Sequence, residues 1–301
     1  MARRNVIRKS EIDACDSSGK RPSTMTVAWW NTSLHPPRAA KMDVGLTGYV
    51  YKGLVRLLKK VDLLFLGECF DIAKIEKLVL NYNRGDKTKR FAVDWRRAAS
   101  ENKNFHTICV FDEMKFEETS DCEVENYLKL TDSLDGKYYR VGQLYDFYSK
   151  FFGQIVSFYV AHWSQYSEED GEAMKILAAH RLRMEMGKTQ SEYRICLGDF
   201  NCEPYAKAMA VLGASRSGDY VKNRGGFFNP TWSLLARQQG SIASENTRFL
   251  KTQSPIFDQI LIDRNLVLAK GVEFVLELFD SSVYKPRKGE HSPVALTIIR
   301  K

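Results

Sequence analysis

The chain has 301 residues, of which 44% are hydrophobic and 12% aromatic, so it can bury a sizeable core within one large domain. Lysine and arginine number 45 against 37 acidic residues, a formal net charge of +8 that favours a polyanionic partner. The sequence holds no internal repeat, no phosphate-cradling glycine loop of the P-loop kind and no long apolar stretch, which sets aside solenoids, P-loop nucleotidases and helical membrane proteins.

The first 23 residues carry six basic and three acidic side chains together with Ser17, Ser18, Gly19 and Pro22. That composition predicts a flexible basic arm at 1–23 ahead of a single catalytic domain over 24–301. No apolar segment follows Arg3, Arg4, Arg8 and Lys9 before Met25, so a signal peptide is not expected. The expected setting is intracellular and soluble: cytoplasmic or, in a eukaryotic cell, nuclear. Cys15, Cys69, Cys109, Cys122, Cys196 and Cys202 show no CxxC spacing, and several lie inside apolar runs, as reduced packing thiols do.

A first strand is read over Thr26–Asn31. From Lys41 to Lys60 the residues Val44, Leu46, Val50, Leu54, Leu57 and Leu58 recur near helical spacing, predicting a helix laid on a sheet. Val61–Leu66 is the next strand, ending at Gly67-Glu68, and Asp71 then caps a helix to Asn81. Arg84–Phe105 contains seven basic residues interleaved with Phe91, Trp95 and Phe105. A phosphate-tracking surface with stacking platforms uses that mixture, and an ordinary solvated hairpin can carry it too. The seven acidic residues between Asp112 and Glu125 are expected to lie away from a polyanion. Tyr138–Tyr148 and Gln154–Trp163 read as successive strands around a glycine turn, and Ser167–Met186 as a helix closed by Gly187. Beyond residue 204 the stretches Arg216-Ser-Gly-Asp and Asn223-Arg-Gly-Gly read as loop.

The densest chemical signal is Arg194-Ile-Cys-Leu-Gly-Asp-Phe-Asn-Cys-Glu-Pro204. An apolar run stops at Gly198, and Asp199 and Asn201 follow on either side of Phe200, as in a buried strand entering a tight turn. The carboxylate suits a hard divalent cation, and the amide suits a phosphate oxygen or a water. By itself such a tetrapeptide also fits a plain strand-to-turn junction. Other apolar runs, however, end the same way, in Asn31, Glu68, His162 and Asp258, and Gly289-Glu290-His291 precedes the final apolar run. Several strands can therefore deliver these groups to one rim of a sheet.

With these motifs in this order, residues Thr26 to Lys301 resemble the endonuclease/exonuclease/phosphatase superfamily, the metal-dependent fold of pancreatic deoxyribonuclease, abasic-site endonucleases, inositol-polyphosphate phosphatases and bacterial sphingomyelinases. The resemblance implies a four-layer α/β sandwich, two mainly antiparallel sheets packed face to face under outer helices. It implies that Glu68, with Asn31 and Glu290, holds Mg2+, with Mn2+ as a substitute. Asp199 and Asn201 would orient an attacking water, Asp258 would pair with His291, and His162 would bind phosphate or protonate the leaving oxygen. The family usually has Ser-Asp-His where this chain has Gly289-Glu290-His291, and the added methylene makes Glu290 a less secure ligand than Glu68. Asn229-Pro-Thr-Trp232 matches a short family motif in which the tryptophan packs against the site. Trp232 is therefore a candidate substrate contact, as are Arg90, Trp95, Arg96 and Arg97 from the basic segment.

The function expected is metal-dependent phosphodiester hydrolysis, with a nuclease acting on DNA or RNA favoured by the charge and the basic-aromatic segment. A phosphatase or phosphodiesterase for a small phosphorylated molecule or lipid headgroup stays open, as does a non-catalytic binding protein of the same fold. Nucleic acid is the expected partner, and a monomer is the expected state.

Overall fold

The computed structural model describes residues 22–34, 44–69, 72–86, 88–96, 107–119, 127–131, 138–163, 168–237, 255–279 and 291–301. The arm expected at the N-terminus lies outside them through residue 21. The strands are β1 (Thr24–Leu34), β2 (Leu63–Cys69), β3 (Phe91–Arg96), β4 (Thr107–Asp112), β5 (Phe116–Glu118), β6 (Tyr127–Thr131) and β7 (Tyr138–Ser149). They continue with β8 (Gln154–His162), β9 (Tyr193–Asp199), β10 (Ala214–Ser215), β11 (Phe227–Phe228), β12 (Asp258–Asp263), β13 (Val272–Leu278) and β14 (Val294–Arg300). The helices are α1 (Val44–Leu58), α2 (Ile72–Gly85), α3 (Glu168–Lys188), α4 (Lys207–Leu212), α5 (Gly218–Arg224), α6 (Trp232–Ala236) and α7 (Arg264–Leu268).

Six strands form one sheet in the order β13-β14-β1-β2-β4-β3, and eight form the other, β10-β11-β12-β9-β8-β7-β5 with β6 also paired to β7. Most neighbours are antiparallel; β1–β2, β8–β9 and β10–β11 are parallel. The expected two-sheet architecture is thus present, with the parallel pairs making each sheet mixed.

Strand periodicity explains the layering. In β1 the residues Met25, Val27 and Trp29 point to one face and Ala28 and Trp30 to the other, yet all five are buried. The first set joins Leu63, Phe65, Phe158, Ile195, Leu197 and Ile260 in the core between the sheets. The second packs with Leu64, Leu66, Val110 and the inner faces of α1 and α2. On the far side Tyr159, Cys196 and Leu261 meet Ala179, Leu182 and Met186 of α3 and Met209 of α4. Four layers follow: helices, sheet, sheet, helices. Because both faces of the central strands are covered, they read in sequence as unbroken apolar runs rather than alternating ones.

The stretch after residue 204, read as loop, contains real elements. Ser217 Oγ accepts the Tyr220 amide at 3.1 Å and starts α5, and β10 and β11 extend the second sheet. At one pole Asp62, 3% exposed, takes Lys89 at 3.1 Å, Lys115 at 2.8 Å and the Thr26 amide at 2.9 Å, stapling β1 to the β3–β5 region. The polar strand ends gather at the opposite pole.

Candidate active site

β1 and β2 run parallel with Asn31 opposite Gly67, so Asn31 and Glu68 leave the first sheet at the same end. Asn31 Nδ2 donates to Glu68 Oε1 at 3.2 Å and to Asp199 Oδ2 at 3.1 Å, so one amide spaces two carboxylates from different sheets. Its Oδ1 accepts the Ser33 amide at 3.0 Å, which fixes the orientation of the group because only an oxygen can face that N–H. Glu68 adopts φ 50°, the left-handed region, and Thr32 Oγ1 bonded to the Gly67 and Glu68 carbonyls at 2.9 and 3.1 Å holds that turn.

β8 and β9 run parallel with His162 opposite Asp199. Gly198 permits this approach: its φ is 146°, and a Cβ there would lie 1.8 Å from the Ala161 carbonyl oxygen. His162 Nε2 lies 3.4 Å from Glu68 Oε1. Asn201, at φ 48°, donates its backbone N–H to Asp199 Oδ1 at 2.8 Å and its Nδ2 to the Trp163 carbonyl at 2.6 Å, while Lys175 Nζ donates to its carbonyl. The Asn201 amide nitrogen is thus committed to backbone, and Oδ1 is the atom left for a ligand.

β12 runs antiparallel to β9 with Asp258 opposite Asp199. Asp258 is fully buried; Oδ1 accepts Trp29 Nε1 at 2.7 Å, and Oδ2 lies 2.6 Å from His291 Nδ1. His291 is held also through its carbonyl, which accepts Trp30 Nε1 at 3.1 Å, and its Nε2 faces Asp199 Oδ2 at 3.9 Å. A carboxylate on Nδ1 sets the imidazole orientation and raises the basicity of Nε2.

The charges are interdependent. Burial works against ionised Glu68, but the hydrogen bond and charge of His162, then Asn31 and His291, outweigh it and bring its carboxyl down to about 2. Burial, followed by the Asp258 charge, pushes Asp199 up from the ordinary carboxylate value, with His291 and His162 offsetting part of the rise. For His291 burial pulls downward, yet the charge and hydrogen bond of Asp258, with Asp199 and Glu68, raise it to about 9. An imidazolium N–H is therefore presented beside Asp199 at neutral pH.

Asn31, Glu68, His162, Asp199, Asn201, Asp258 and His291 are thus brought to one rim. Arg90 is not: β3 runs from Phe91 opposite Asp112 to Arg96 opposite Thr107, so Arg90 lies at the pole away from Asn31, where its Nε pairs with Glu113 at 2.8 Å. Within the acidic stretch, Asp112 and Glu113 share that distant pole, and Asp121, Glu123 and Glu125 lie outside the described residues. Arg96 ends β3 on the active-site side, but the side chains of Trp95 and Arg96 fall outside the described residues, as do Arg97 and Glu290 altogether. Trp232 begins α6, half-buried, with the Tyr205 ring centroid at 6.2 Å and the Arg216 guanidinium 5.9 Å above its ring.

Sequence reasoning misses Trp29 and a buried amide network. Asn229 Nδ2 donates to Gln259 Oε1 at 2.8 Å, Gln259 Nε2 to the Cys202 carbonyl at 2.7 Å, and the Ile260 amide to Thr231 Oγ1 at 3.3 Å. This ties the turn after Asn201 and the segment before Trp232 to the strand that carries Asp258. Asn229-Pro-Thr is the available signal; a tryptophan in an apolar run gives none.

The donor set suits a hard divalent cation. Glu68 is ionised, its Oε2 makes no hydrogen bond among the described residues, and Asp199 and the Asn31 amide adjoin it. Asp199, Asp258 and His291 also offer ligand atoms within 4.8 Å of one another, but Nδ1 of that histidine is already engaged by Asp258. Glu68 is accordingly the better anchor. Four cysteines among the described residues, Cys69, Cys109, Cys196 and Cys202, are buried, and no helix there is long and apolar enough to cross a membrane.

Two packed mixed sheets with outer helices, and a rim that gathers carboxylates, amides and imidazoles, define the deoxyribonuclease-I-like class of fold. The signature of the Endonuclease/Exonuclease/phosphatase family matches residues 107–296, and the chain belongs to that family. Members of the family are phosphoester hydrolases and generally use divalent metals. The matched region begins after Asn31 and Glu68, which reach the site through the contacts described above. Among solved structures, the chain is similar to the human Nocturnin catalytic domain with bound sulfate (TM-score 0.61, 13% identity, 93% of this chain and 95% of that one). It is similar also to the mannosyl-6-phosphatase Bt3783 of Bacteroides thetaiotaomicron (0.58, 13%, 91% and 99%) and to D. rerio TDP2 humanised by 14 mutations (0.52, 13%, 92% and 99%). A search of curated protein sequences returns no match. At such identities the likeness is one of fold.

Proposed function

We propose that this protein is a divalent-metal-dependent phosphodiesterase that cleaves nucleic acid. The observation that carries the reading is His291, bonded to Asp258 through Nδ1 and facing Asp199 through Nε2, beside the Asn31–Glu68 pair. A cation held by Glu68, with Asp199 and Asn31 adjacent and Glu290 as a further ligand, would offset the charge that develops on the phosphoryl group. Asp199 Oδ2 orients the attacking water and accepts its proton, and Asn201 Oδ1 is a second acceptor for that water. The imidazolium Nε2–H of His291 donates to a non-bridging phosphate oxygen. As the new P–O bond forms and the ester P–O bond breaks, His162 supplies the proton to the leaving oxygen.

Nucleic acid is favoured over a small phosphoester by the net charge of +8 and by the corner formed by Tyr205, Arg216 and Trp232. Tyr205 follows directly on the Asn201 turn, and the buried network beside Asp258 holds the Trp232 segment, so the corner borders the reaction centre. Its rings and guanidinium suit a base and its flanking phosphate. Trp95, Arg96 and Arg97 would extend that track; Arg90, at the other pole, would not. The test is turnover of single- and double-stranded DNA, RNA, sugar phosphates and phosphoinositides with Mg2+ or Mn2+. Cleavage of nucleic acid in preference to the small substrates is expected; preferential turnover of a sugar phosphate or lipid headgroup would replace this reading with the small-molecule one.

A further inference from the structure

The sequence Trp29-Trp30 places two indoles on opposite faces of β1, and each donates to a different member of the Asp258–His291 pair. Trp29 Nε1–H meets Asp258 Oδ1 at 2.7 Å from inside the core, and Trp30 Nε1–H meets the His291 carbonyl at 3.1 Å from the outer face. Trp29 is fully buried, and its ring lies 6.3 Å from the His162 ring in an edge arrangement. It thus touches the partner of one site histidine and the ring of the other. The neighbouring strand is shaped to admit it: a Cβ on Gly67, the residue before Glu68, would lie 2.5 Å from Trp29 Cη2.

We propose that Trp29 is a positioning residue for the reaction: its indole N–H locks the Asp258 carboxylate so that Oδ2 alone is directed at His291, and through it aims Nε2 at the substrate phosphate. The chemistry supports a role beyond packing. A fully buried carboxylate without donors on both oxygens carries a large desolvation cost, and it rotates about its terminal torsion over a broad range. An indole is a donor only, so Trp29 can satisfy Oδ1 but cannot compete for the imidazole N–H as a hydroxyl or amide could. A leucine or phenylalanine would fill the same core volume and bring no donor to Oδ1. The active-site strand thus uses, at a core position, the large apolar side chain that brings one rigid donor. Gly67 belongs to the same device, since any other residue there displaces the ring.

This inference rests on the phosphodiesterase reading, and its test separates the two. Trp29→Phe keeps an aromatic ring in the core and removes the N–H. Loss of a charge-assisted hydrogen bond that acts only on the pair should lower kcat about 10- to 100-fold with KM little changed. In an Asp258→Asn background the same substitution should have almost no further effect on kcat, because the group it acts through is already altered. Full additivity of the two substitutions, or a fall in kcat that is recovered when both proteins are assayed well below their melting temperatures, overturns the proposal. A second measurement needs no activity. The Trp29 indole proton, assigned by its absence in Trp29→Phe, should resonate downfield of the other indoles and move upfield in Asp258→Asn, and the His291 Nδ1 proton should shift in Trp29→Phe. An unmoved His291 proton would reduce Trp29 to packing, even if no phosphodiester is ever found to be cleaved.

Discussion

His291 and Asp199 face each other across a 3.9 Å gap between Nε2 and Oδ2, with Asp258 fixing the imidazole from behind at 2.6 Å. That gap lies between an imidazolium donor and a carboxylate acceptor, which is where a phosphate oxygen and an incoming water can each find a partner. His291→Ala and Asp199→Asn should each lower kcat by at least about 100-fold, the scale of one general acid–base or donor contribution, with circular dichroism unchanged. Either purified variant turning over bis(p-nitrophenyl) phosphate near the wild-type rate would remove these residues from the chemistry.

Glu68 anchors the metal prediction. Because its carboxyl is brought down to about 2, it is ionised at neutral pH and needs no deprotonation there to hold a cation. EDTA should abolish turnover, and added Mg2+ or Mn2+ should restore it. Glu68→Gln should raise the Mg2+ concentration needed for half-maximal rate by about 10-fold or more, as expected when a charged ligand is lost. Full activity in chelator would sink the assignment.

A pH effect on stability follows from His291. In metal-free protein its imidazolium is favoured by Asp258 up to about pH 9, against an ordinary value near 6.5. The folded state therefore binds a proton more tightly than the unfolded chain. This contribution is fully present below about pH 6.5 and disappears as pH rises through 9, an effect of about 3 kcal/mol before discount for coupling to Asp199. Urea unfolding in EDTA should show wild type losing more stability than His291→Gln between pH 6.5 and 9.5. Parallel curves would mean that the pair does not hold its proton.

Gly198 tests how the rim is assembled. A methyl group at that position meets the Ala161 carbonyl at 1.8 Å, and φ 146° is closed to L-residues. Gly198→Ala should cost about 3 kcal/mol or more, and what folds should have lost the alignment of His162 with Asp199. A thermal midpoint within a degree or two of wild type would show that β8 and β9 are not so closely apposed.

The substrate track divides the arginines by place. Arg90 sits at the distant pole beside Glu113, whereas Arg216 lies over Trp232. Arg216→Ala should weaken nucleic-acid binding and reduce the log–log salt slope by about 0.7 to 0.9, the value for one phosphate contact. Arg90→Ala should leave the slope unchanged, and cleavage of the small chromogenic diester should be untouched by both. A slope that responds to Arg90 and not to Arg216 would move the track to the other end of the sandwich.

Local chemistry in the sequence is enough for the central strands and for much of the rim. Unbroken apolar runs that stop at a polar residue are strand ends in a sandwich covered on both faces, and so Asn31, Glu68, His162, Asp199 and Asp258 stand out from the amino-acid order alone. The succession of those motifs carries the family. Tertiary structure decides what depends on distance between segments far apart in the chain. Arg90 and Arg96 are six residues apart in one strand segment, but the direction of β3 sends them to opposite poles, which composition cannot express. Asn31 reads in sequence as a metal ligand, whereas in the fold its amide nitrogen spaces two carboxylates from strands 37 and 168 residues away. Trp29 looks like core because it is core; that its one polar atom lies 2.7 Å from Asp258, 229 residues on, follows only from the packing of β1 against the sheet that carries β12.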